Sequence, residues 1–239
     1  MSPAVAKDDF DISGLATYLH LMPAQVVKLA ERGKLPGRRV AGQWRFSRAE
    51  VHLWLEERIG LSGDVELTTM ETNLERTDQS GAGEVSIAGL MSIEAIAVPL
   101  DARTRASVIS SMTELAAETG MLWDPDKMAS AVASREAMHP TALDIGVALM
   151  HPRRPQSSIL GGPLICLGIT GRGIPFGGDG NLTDLFFLIC ATNDHEHLRI
   201  LARLSRMISD SDWVAQLRSA HDPQSVLELV VSREEELAS

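Results

Sequence analysis

Two short apolar segments constrain the fold of this chain more than any other feature of its sequence. Residues 164–169 and 185–191 contain no charged side chain. Such continuous segments are typical of central strands that other elements cover on both faces. Both are far shorter than the roughly 20 residues that a membrane-spanning helix requires. The sequence therefore predicts a layered α/β fold and no membrane partner.

The elements around these segments predict the larger of two domains. Strands are expected at residues 93–100 and 147–150, and the glycine clusters between residues 171 and 180 are expected in turns. Helical spacing and capping signals predict helices after Asp101, from Asp124 to about Met138, and at residues 195–209, 211–220 and beyond 222. Together they predict an α/β sandwich with a mixed central sheet over residues 92–239.

The charge of the chain is unevenly distributed. The formal net charge is −10, but residues 1–60 sum to +2 and residues 61–239 to −12. Residues 24–48 hold seven basic side chains against one acidic, a balance of +6. A compact basic segment in an acidic protein indicates an anion-binding surface, with nucleic acid as the first candidate. A solvated basic face is the alternative.

A linker is predicted between a domain at residues 1–60 and a domain at residues 92–239. Residues 62–86 are rich in Glu, Thr, Ser and Gly and contain no aromatic side chain. Such a segment buries too little apolar surface to offset the entropy of ordering. We therefore expect residues 61–91 to form a flexible acidic linker.

The N-terminus and the cysteines indicate the compartment. The first eleven residues carry three aspartates and no apolar stretch of the secretory kind. Cys166 and Cys190 lie in the apolar segments without Cys-x-x-Cys spacing, and we expect them to be buried free thiols. These features predict a cytoplasmic protein.

The first 60 residues predict a winged helix-turn-helix. Asp11 can cap one short helix, and Pro23 stands where a second helix would begin. A β-hairpin that turns at Gly42 follows, and a capping box at residues 47–50 opens a third helix. Three aromatic residues are expected to form the small core: Trp44, Phe46 and Trp54.

Residues 11–58 resemble the excisionase family of DNA-binding domains, which is related to the MerR regulators. The resemblance is carried by Leu15-Ala16, Leu19, residues 26–29, Gly33-Lys34-Leu35-Pro36, Val40, Trp44-Arg45, Glu50 and Trp54-Leu55. It implies that Gln25 and Lys28 enter the major groove, and that the wing contacts phosphates through Arg38, Arg39 and Arg45. One such module contacts few phosphates, so specific binding would need a homodimer or a second protein. A domain reused for protein binding is the alternative.

Two histidines and an arginine form the candidate site of the larger domain. His151 closes a predicted strand and is followed by an arginine pair, and Arg135 lies sixteen residues upstream on a predicted helix. His197 lies in the first turn of another predicted helix, where unpaired amides and the helix dipole favour an oxyanion. Imidazoles and a guanidinium at strand and helix ends fit phosphoryl transfer.

Residues 92–235 resemble enzyme IIA of the phosphotransferase system, in its fructose, mannitol and nitrogen-regulatory branch. The resemblance is carried by Arg135-Glu136-Ala137, Thr141, Gly146-Val147-Ala148, His151, His197-Leu198, Leu201-Ala202 and Leu204. It implies that His151 accepts a phosphoryl group from a phosphohistidine carrier protein of the HPr kind. It further implies that His197 assists and that Arg135 helps to balance charge. The chain differs from the family in Met150, where proline is usual, and in the stretch from Thr141 to Gly146, which is usually richer in glycine.

Three functions follow from these resemblances. The first is a transcriptional or other regulator in which phosphorylation of His151 is coupled to DNA binding. The second is a relay enzyme whose small domain only docks partners, and the third is an inactive protein-binding adaptor. A metal pair of His195 and His197, joined by His151 or His139, is a further alternative. Otherwise neither a metal nor an organic cofactor is expected.

Overall fold

The computed structural model describes residues 9–19, 21–61, 85–177 and 180–238. They belong to two compact units, Met1–Glu84 and Val85–Ser239. Residues 62–84, most of the predicted linker, lie outside the described residues. Within the described part of the chain, no helix has both the length and the apolarity that crossing a membrane requires.

The first unit is a small helical domain with a three-stranded antiparallel sheet. Its elements are β1 (Asp9–Phe10), α1 (Ile12–Leu19), α2 (Pro23–Glu31), β2 (Arg38–Val40), β3 (Gln43–Ser47) and α3 (Arg48–Leu61). The strands lie in the order β1-β3-β2. Asp11 begins α1 by accepting a 2.7 Å hydrogen bond from the amide of Gly14. Proline occupies the first turn of α2, as predicted.

The core of this unit is more aliphatic than the sequence indicated. Phe46 is fully buried, together with Leu15, Val26 and Val51. Trp44 and Trp54 are only half-buried, and each has a guanidinium above its ring. The two tryptophans thus form the margin of the core, where an indole can meet both apolar and charged neighbours.

The second unit has the predicted α/β architecture. Its elements are β4 (Ile96–Ala97), α4 (Arg105–Glu118), α5 (Pro125–Met138), β5 (Val147–Met150), β6 (Leu164–Pro175), β7 (Leu182–Cys190), α6 (Asp194–Ile208), α7 (Ser211–Ser219) and α8 (Pro223–Ala238). The strand order is β4-β6-β7-β5. The sheet is mixed, because β6 and β7 are antiparallel while β4 and β5 are each parallel to their neighbour.

The apolar segments form the two central strands, buried on both faces. Cys166 and Phe186 contribute to a core cluster with residues of α4 and α5. The alternate residues, such as Leu167 and Phe187, are also fully buried. Both cysteines are free and buried, as expected. Burial raises the pKa of the Cys190 thiol to about 12, so the thiolate is not formed at neutral pH.

Four local features differ from the predicted elements. The expected strand at 93–100 is a 3₁₀ turn, Ile93–Ala95, followed by the two-residue β4. Thr104 rather than Asp101 caps α4, because its hydroxyl accepts from the amide of Ser107. Gly171 and Gly173 lie within β6, at a shift of register, rather than in a turn. Residues 85–91, expected in the linker, belong to the second unit.

A carboxylate of the last helix binds residues 86–88 to the second unit. Glu234 accepts hydrogen bonds from the amides of Ile87 and Ala88 and from the hydroxyl of Ser86. Ile87 is fully buried. Glu234 lies 146 to 148 residues from these donors along the chain, so no local pattern in the sequence could show the contact.

Candidate functional site

Two parallel strands bring the predicted site histidines to one edge of the sheet. β5 pairs in parallel with β7, with Met150 opposite Leu188. His151 directly follows β5, and β7 ends at Cys190, shortly before α6 begins with His197 in its first turn. The carboxyl ends of parallel neighbours lie at the same edge, so the two imidazoles meet there. Their ring centroids are 4.6 Å apart, and the ring planes are inclined by 52°.

The backbone of β5 orients the imidazole of His151. Its Nδ1 lies 2.8 Å from the carbonyl oxygen of Leu149. Because a carbonyl can only accept, Nδ1 carries the proton in this hydrogen bond. The neutral ring then has its lone pair on Nε2. In this neutral form, Nε2 is therefore the basic nitrogen of His151.

Arg135 lies in the last turn of α5 and is buried. Its Nη1 donates to the carbonyl oxygen of His139, at 2.6 Å, just beyond the end of the helix. A cation at this position interacts favourably with the helix dipole. Arg153 and Arg154, which follow His151 in the chain, are both exposed. The role of Arg135 in balancing charge at His151 stays a prediction.

The N-terminal turn of α6 carries negative charge that opposes the anion binding predicted there. Asn193 Oδ1 accepts from the amide of Glu196 at 2.9 Å. The Glu196 carboxylate in turn accepts from the amide and the hydroxyl of Thr192, at 2.7 and 2.8 Å. Asp194 is a second acid in the same turn. Two carboxylates and a capping side chain therefore weaken the expected attraction of this helix end for an oxyanion.

The helix geometry disfavours the alternative of a metal pair. His195 and His197 are two positions apart on α6. Two steps of an α-helix turn a side chain by about 200° around the axis, so the two imidazoles leave the helix on opposite sides. Two ligands of one metal would lie three or four positions apart.

A buried acid that was not among the predicted site residues holds the segment before β5. Glu136 accepts hydrogen bonds from the hydroxyl and the amide of Thr141, the latter at 3.0 Å. Arg105 Nη2 lies 3.4 Å from the same carboxylate. The sequence gives no local sign of this role, since one partner is 31 positions away and the burial of Glu136 depends on tertiary packing.

In the first unit, the helix expected to enter the major groove presents polar residues along one side. Gln25, Lys28 and Glu31 follow one another at a spacing of three on α2, and all three are exposed. Gln25 Oε1 also accepts from the amide of Met22, at 2.8 Å, and so caps the helix. The guanidinium of Arg39 lies 3.9 Å from Glu31. Gln25, Lys28 and Arg39 are called the α2-side surface below.

The three predicted wing arginines lie on two faces of the hairpin rather than one. Arg38 is directly opposite Arg45, and Arg39 is opposite Trp44. Successive residues of a strand point to opposite faces, so Arg39 is separated from the other two. Arg38 Nη2 is 2.7 Å from Asp9. Arg38 and Arg45 are called the outer wing surface below.

Comparison with known proteins identifies the family. A model described as "Phosphoenolpyruvate-dependent sugar phosphotransferase system, EIIA 2" matches residues 90–232. The chain belongs to this EIIA family. A model of a helix-turn-helix domain matches residues 10–59, so the EIIA domain follows a helix-turn-helix domain in one chain. Both matches confirm the domain types predicted from the sequence.

The relatives that match the EIIA domain include a nitrogen regulatory protein and a PTS system component. The nitrogen regulatory protein of Bradyrhizobium diazoefficiens is 31% identical over 145 residues, which cover 59% of this chain and 91% of that protein. The PTS system fructose-specific EIIABC component of Bacillus subtilis is 25% identical over 149 residues, which cover 61% of this chain. The match spans only 23% of the EIIABC component.

Solved structures share the fold of the EIIA domain. IIA mannitol from Escherichia coli superimposes with a TM-score of 0.53 at 23% identity, covering 59% of this chain and 98% of that one. Nitrogen regulatory protein IIA-Ntr from Neisseria meningitidis gives 0.54 at 19% identity, with coverage of 60% and 98%. At these identities the likeness establishes the fold alone.

Proposed function

We propose that this protein is a regulator whose EIIA domain accepts a phosphoryl group on His151 and whose helix-turn-helix domain binds DNA. The observation that carries the first half is the hydrogen bond from His151 Nδ1 to the Leu149 carbonyl, which leaves the lone pair on Nε2. The family membership supports the reaction class. The donor is a phosphohistidine carrier protein of the HPr kind.

The transfer forms one P–N bond and breaks another. The lone pair of His151 Nε2 attacks phosphorus in line with the P–N bond of the carrier's phosphohistidine, and the electron pair of that bond returns to the carrier's imidazole. The ring of His151 then bears both the Nδ1 proton and the phosphoryl group, and it is cationic. The Leu149 carbonyl stabilises this cation through the Nδ1–H hydrogen bond.

Two residues are proposed to supply the charge stabilisation at His151. His197, whose ring centroid lies 4.6 Å from that of His151, is the proposed donor of a hydrogen bond to a phosphoryl oxygen. Arg135 is the proposed cation that balances the charge of the transferred group. The phosphoryl oxygens carry about −2 and the cationic ring offsets about half of this, so phosphorylation adds about −1 to a chain whose formal charge is already −10.

Labelling with a phosphorylated carrier tests the first half. The full chain should acquire an acid-labile, base-stable label, and His151→Gln should abolish it. His139→Gln removes an exposed histidine directly after the end of α5 and should leave the label unchanged. His197→Gln should slow labelling without abolishing it. A wild-type protein that takes up no label would leave only the adaptor function.

The second half is supported by the match to a helix-turn-helix domain and by charge. Residues 24–48 carry a balance of +6 within an acidic protein. Lys28 and Arg39 on the α2-side surface, and Arg38 and Arg45 on the outer wing surface, offer cations to the DNA backbone from two directions. Each phosphate contact steepens the dependence of affinity on salt.

A salt titration of DNA binding tests this half and compares the two surfaces. Lys28→Ala/Arg39→Ala should weaken binding to a mixed-sequence duplex and reduce the slope of log affinity against log salt by about 2. Arg38→Ala/Arg45→Ala measures the outer wing surface in the same way. The control Lys127→Ala/Arg154→Ala removes equal charge from the EIIA domain and should leave the slope unchanged. Salt-independent binding by the wild type would contradict the proposal.

A further inference from the structure

The segment that precedes β5 forms an incomplete antiparallel ladder with it. Ala142 and Ala148 are paired in a bridge, which places Thr141 opposite Leu149. The amide of Leu149 donates to the carbonyl of Thr141 at 3.3 Å. In a hydrogen-bonded antiparallel pair the opposite residues exchange two such bonds. The amide of Thr141 would therefore be expected to donate to the carbonyl of Leu149.

Two other contacts replace that second bond. The amide of Thr141 donates instead to Glu136 Oε2, at 3.0 Å, and the hydroxyl of Thr141 donates to Glu136 Oε1. The carbonyl of Leu149 accepts from His151 Nδ1 at 2.8 Å. The imidazole thus occupies the place in the ladder that a backbone amide would fill.

We propose that Glu136 is a positioning residue that selects the tautomer of His151 by capturing the amide of Thr141. Hydrogen bonds to a carboxylate are stronger than those to a neutral carbonyl, so Glu136 out-competes Leu149 for this amide. The Leu149 carbonyl is then left to the imidazole, which keeps its proton on Nδ1 and its lone pair on Nε2. If the Thr141 amide also donated to the Leu149 carbonyl, the hydrogen bond from His151 Nδ1 to that carbonyl would be weaker.

The surroundings of Glu136 fit this role. Its side chain is almost fully buried, at 1% exposure, where a carboxylate is retained only with partners. Thr141 supplies two donors and Arg105 a cation at 3.4 Å. The effect on phosphoryl transfer rests on the proposed function of His151, but the effect on the tautomer does not.

The tautomer of His151 can be read directly from its ring nitrogen signals in ¹⁵N NMR of the full, unphosphorylated chain. The wild type should show protonated Nδ1 and unprotonated Nε2. Glu136→Met, which keeps the size of the side chain without an acceptor, should give a mixture of the two tautomers. Its initial rate of labelling by the phosphorylated carrier should fall about tenfold, equivalent to the loss of one hydrogen bond.

Two matched variants separate positioning from stability. Glu136→Gln retains an acceptor oxygen for the Thr141 amide and should keep the Nδ1-protonated tautomer. Thr141→Val removes the hydroxyl bond to Glu136 but keeps the amide bond, and it should keep that tautomer even where the melting temperature falls. Should Glu136→Met fail to fold, Glu136→Asp, whose carboxylate is withdrawn by one methylene, should show the same mixture.

The outcomes of this experiment are distinct from those of the labelling test. A folded Glu136→Met, or Glu136→Asp in its place, with the wild-type tautomer would overturn the positioning role. A wild type with the expected tautomer but no label would overturn phosphoryl acceptance alone. A shift in Thr141→Val as large as in Glu136→Met would also count against the mechanism, because the captured amide is unchanged there.

Discussion

At the residue scale, the tip of the wing includes Ala41, an alanine in the left-handed backbone region that disfavours residues with a Cβ. Val40 pairs with Gln43, so Ala41 and Gly42 form a two-residue turn with φ of +50° and +81°. Hairpin turns with two positive φ values favour Asn-Gly, because a Cβ in the left-handed region crowds the neighbouring carbonyl. Ala41→Asn should stabilise the hairpin by about 0.5–1 kcal/mol. Amide exchange in β3 should slow by about twofold to fivefold.

The control for this prediction is the neighbouring glycine. Gly42 has no neighbouring atom within 4 Å of a built Cβ, so a methyl group there meets open space. Gly42→Ala should therefore destabilise the hairpin through φ alone and speed exchange in β3. Equal exchange in the wild type and Ala41→Asn would show that the turn carries no strain.

The candidate site shows which residues a single sequence can reveal. His151 and His197 were predicted because each occupies a recognisable local position, one after a strand and the other in the first turn of a helix. Glu136 was missed because its function depends on Thr141 and Leu149, which meet only when the segment before β5 folds back. The periodicity of apolar residues along the sequence does not indicate that contact.

At the element scale, the starts of helices were more predictable than the short strands. Asp124 accepts from the amide of Lys127 and is followed by proline, so α5 begins where the sequence indicated. β1 and β4 have two residues each, and each exists only through pairing with a longer strand. Such strands have no periodicity of their own, and this explains why β1 was not predicted and β4 was predicted too long.

The cap of α7 gives a prediction about pH. Asp210 accepts from the amides of Trp213 and Asp212, at 3.1 and 2.9 Å. The hydrogen bond from Trp213, with help from Arg233, lowers the pKa of this carboxyl below its ordinary 3.8. The contribution of ionised Asp210 to the folding stability is therefore complete above about pH 4, and it is lost as the pH falls through the lowered pKa of this group. Asp210→Ala should cost about 1 kcal/mol at neutral pH.

The matched control is Asp210→Asn, which retains an acceptor but cannot ionise. Its free energy of unfolding, measured by urea titration between pH 3 and 7, should fall less on acidification than that of the wild type. The difference between the two proteins should narrow toward the acid end of this range, since protonation of Asp210 removes the charge that distinguishes it from Asn. Parallel pH profiles for both proteins would show that the carboxylate contributes no pH-dependent stability.

At the scale of the whole molecule, the chain combines a basic helix-turn-helix segment, the candidate for DNA binding, with an acidic EIIA domain. Residues 1–60 sum to +2 and residues 61–239 to −12. DNA is a polyanion, so every negative charge added to the chain opposes its approach. Phosphorylation of His151 adds about −1 to the acidic part, because the cationic ring offsets about half of the −2 on the phosphoryl oxygens. Phosphorylation of the EIIA domain is therefore expected to weaken DNA binding by the helix-turn-helix domain.

Phosphorylated full-length protein should bind a mixed-sequence duplex more weakly than the unphosphorylated protein. The difference should be a few-fold at 0.05 M salt and should shrink as salt rises, because the Debye length falls to about 8 Å at 0.15 M. His151→Gln, incubated with the same phosphorylated carrier, should bind like the unphosphorylated wild type. Gel shifts across a salt series measure all three proteins. Tighter binding after phosphorylation, or an effect that persists at high salt, would indicate a conformational coupling instead of electrostatic repulsion.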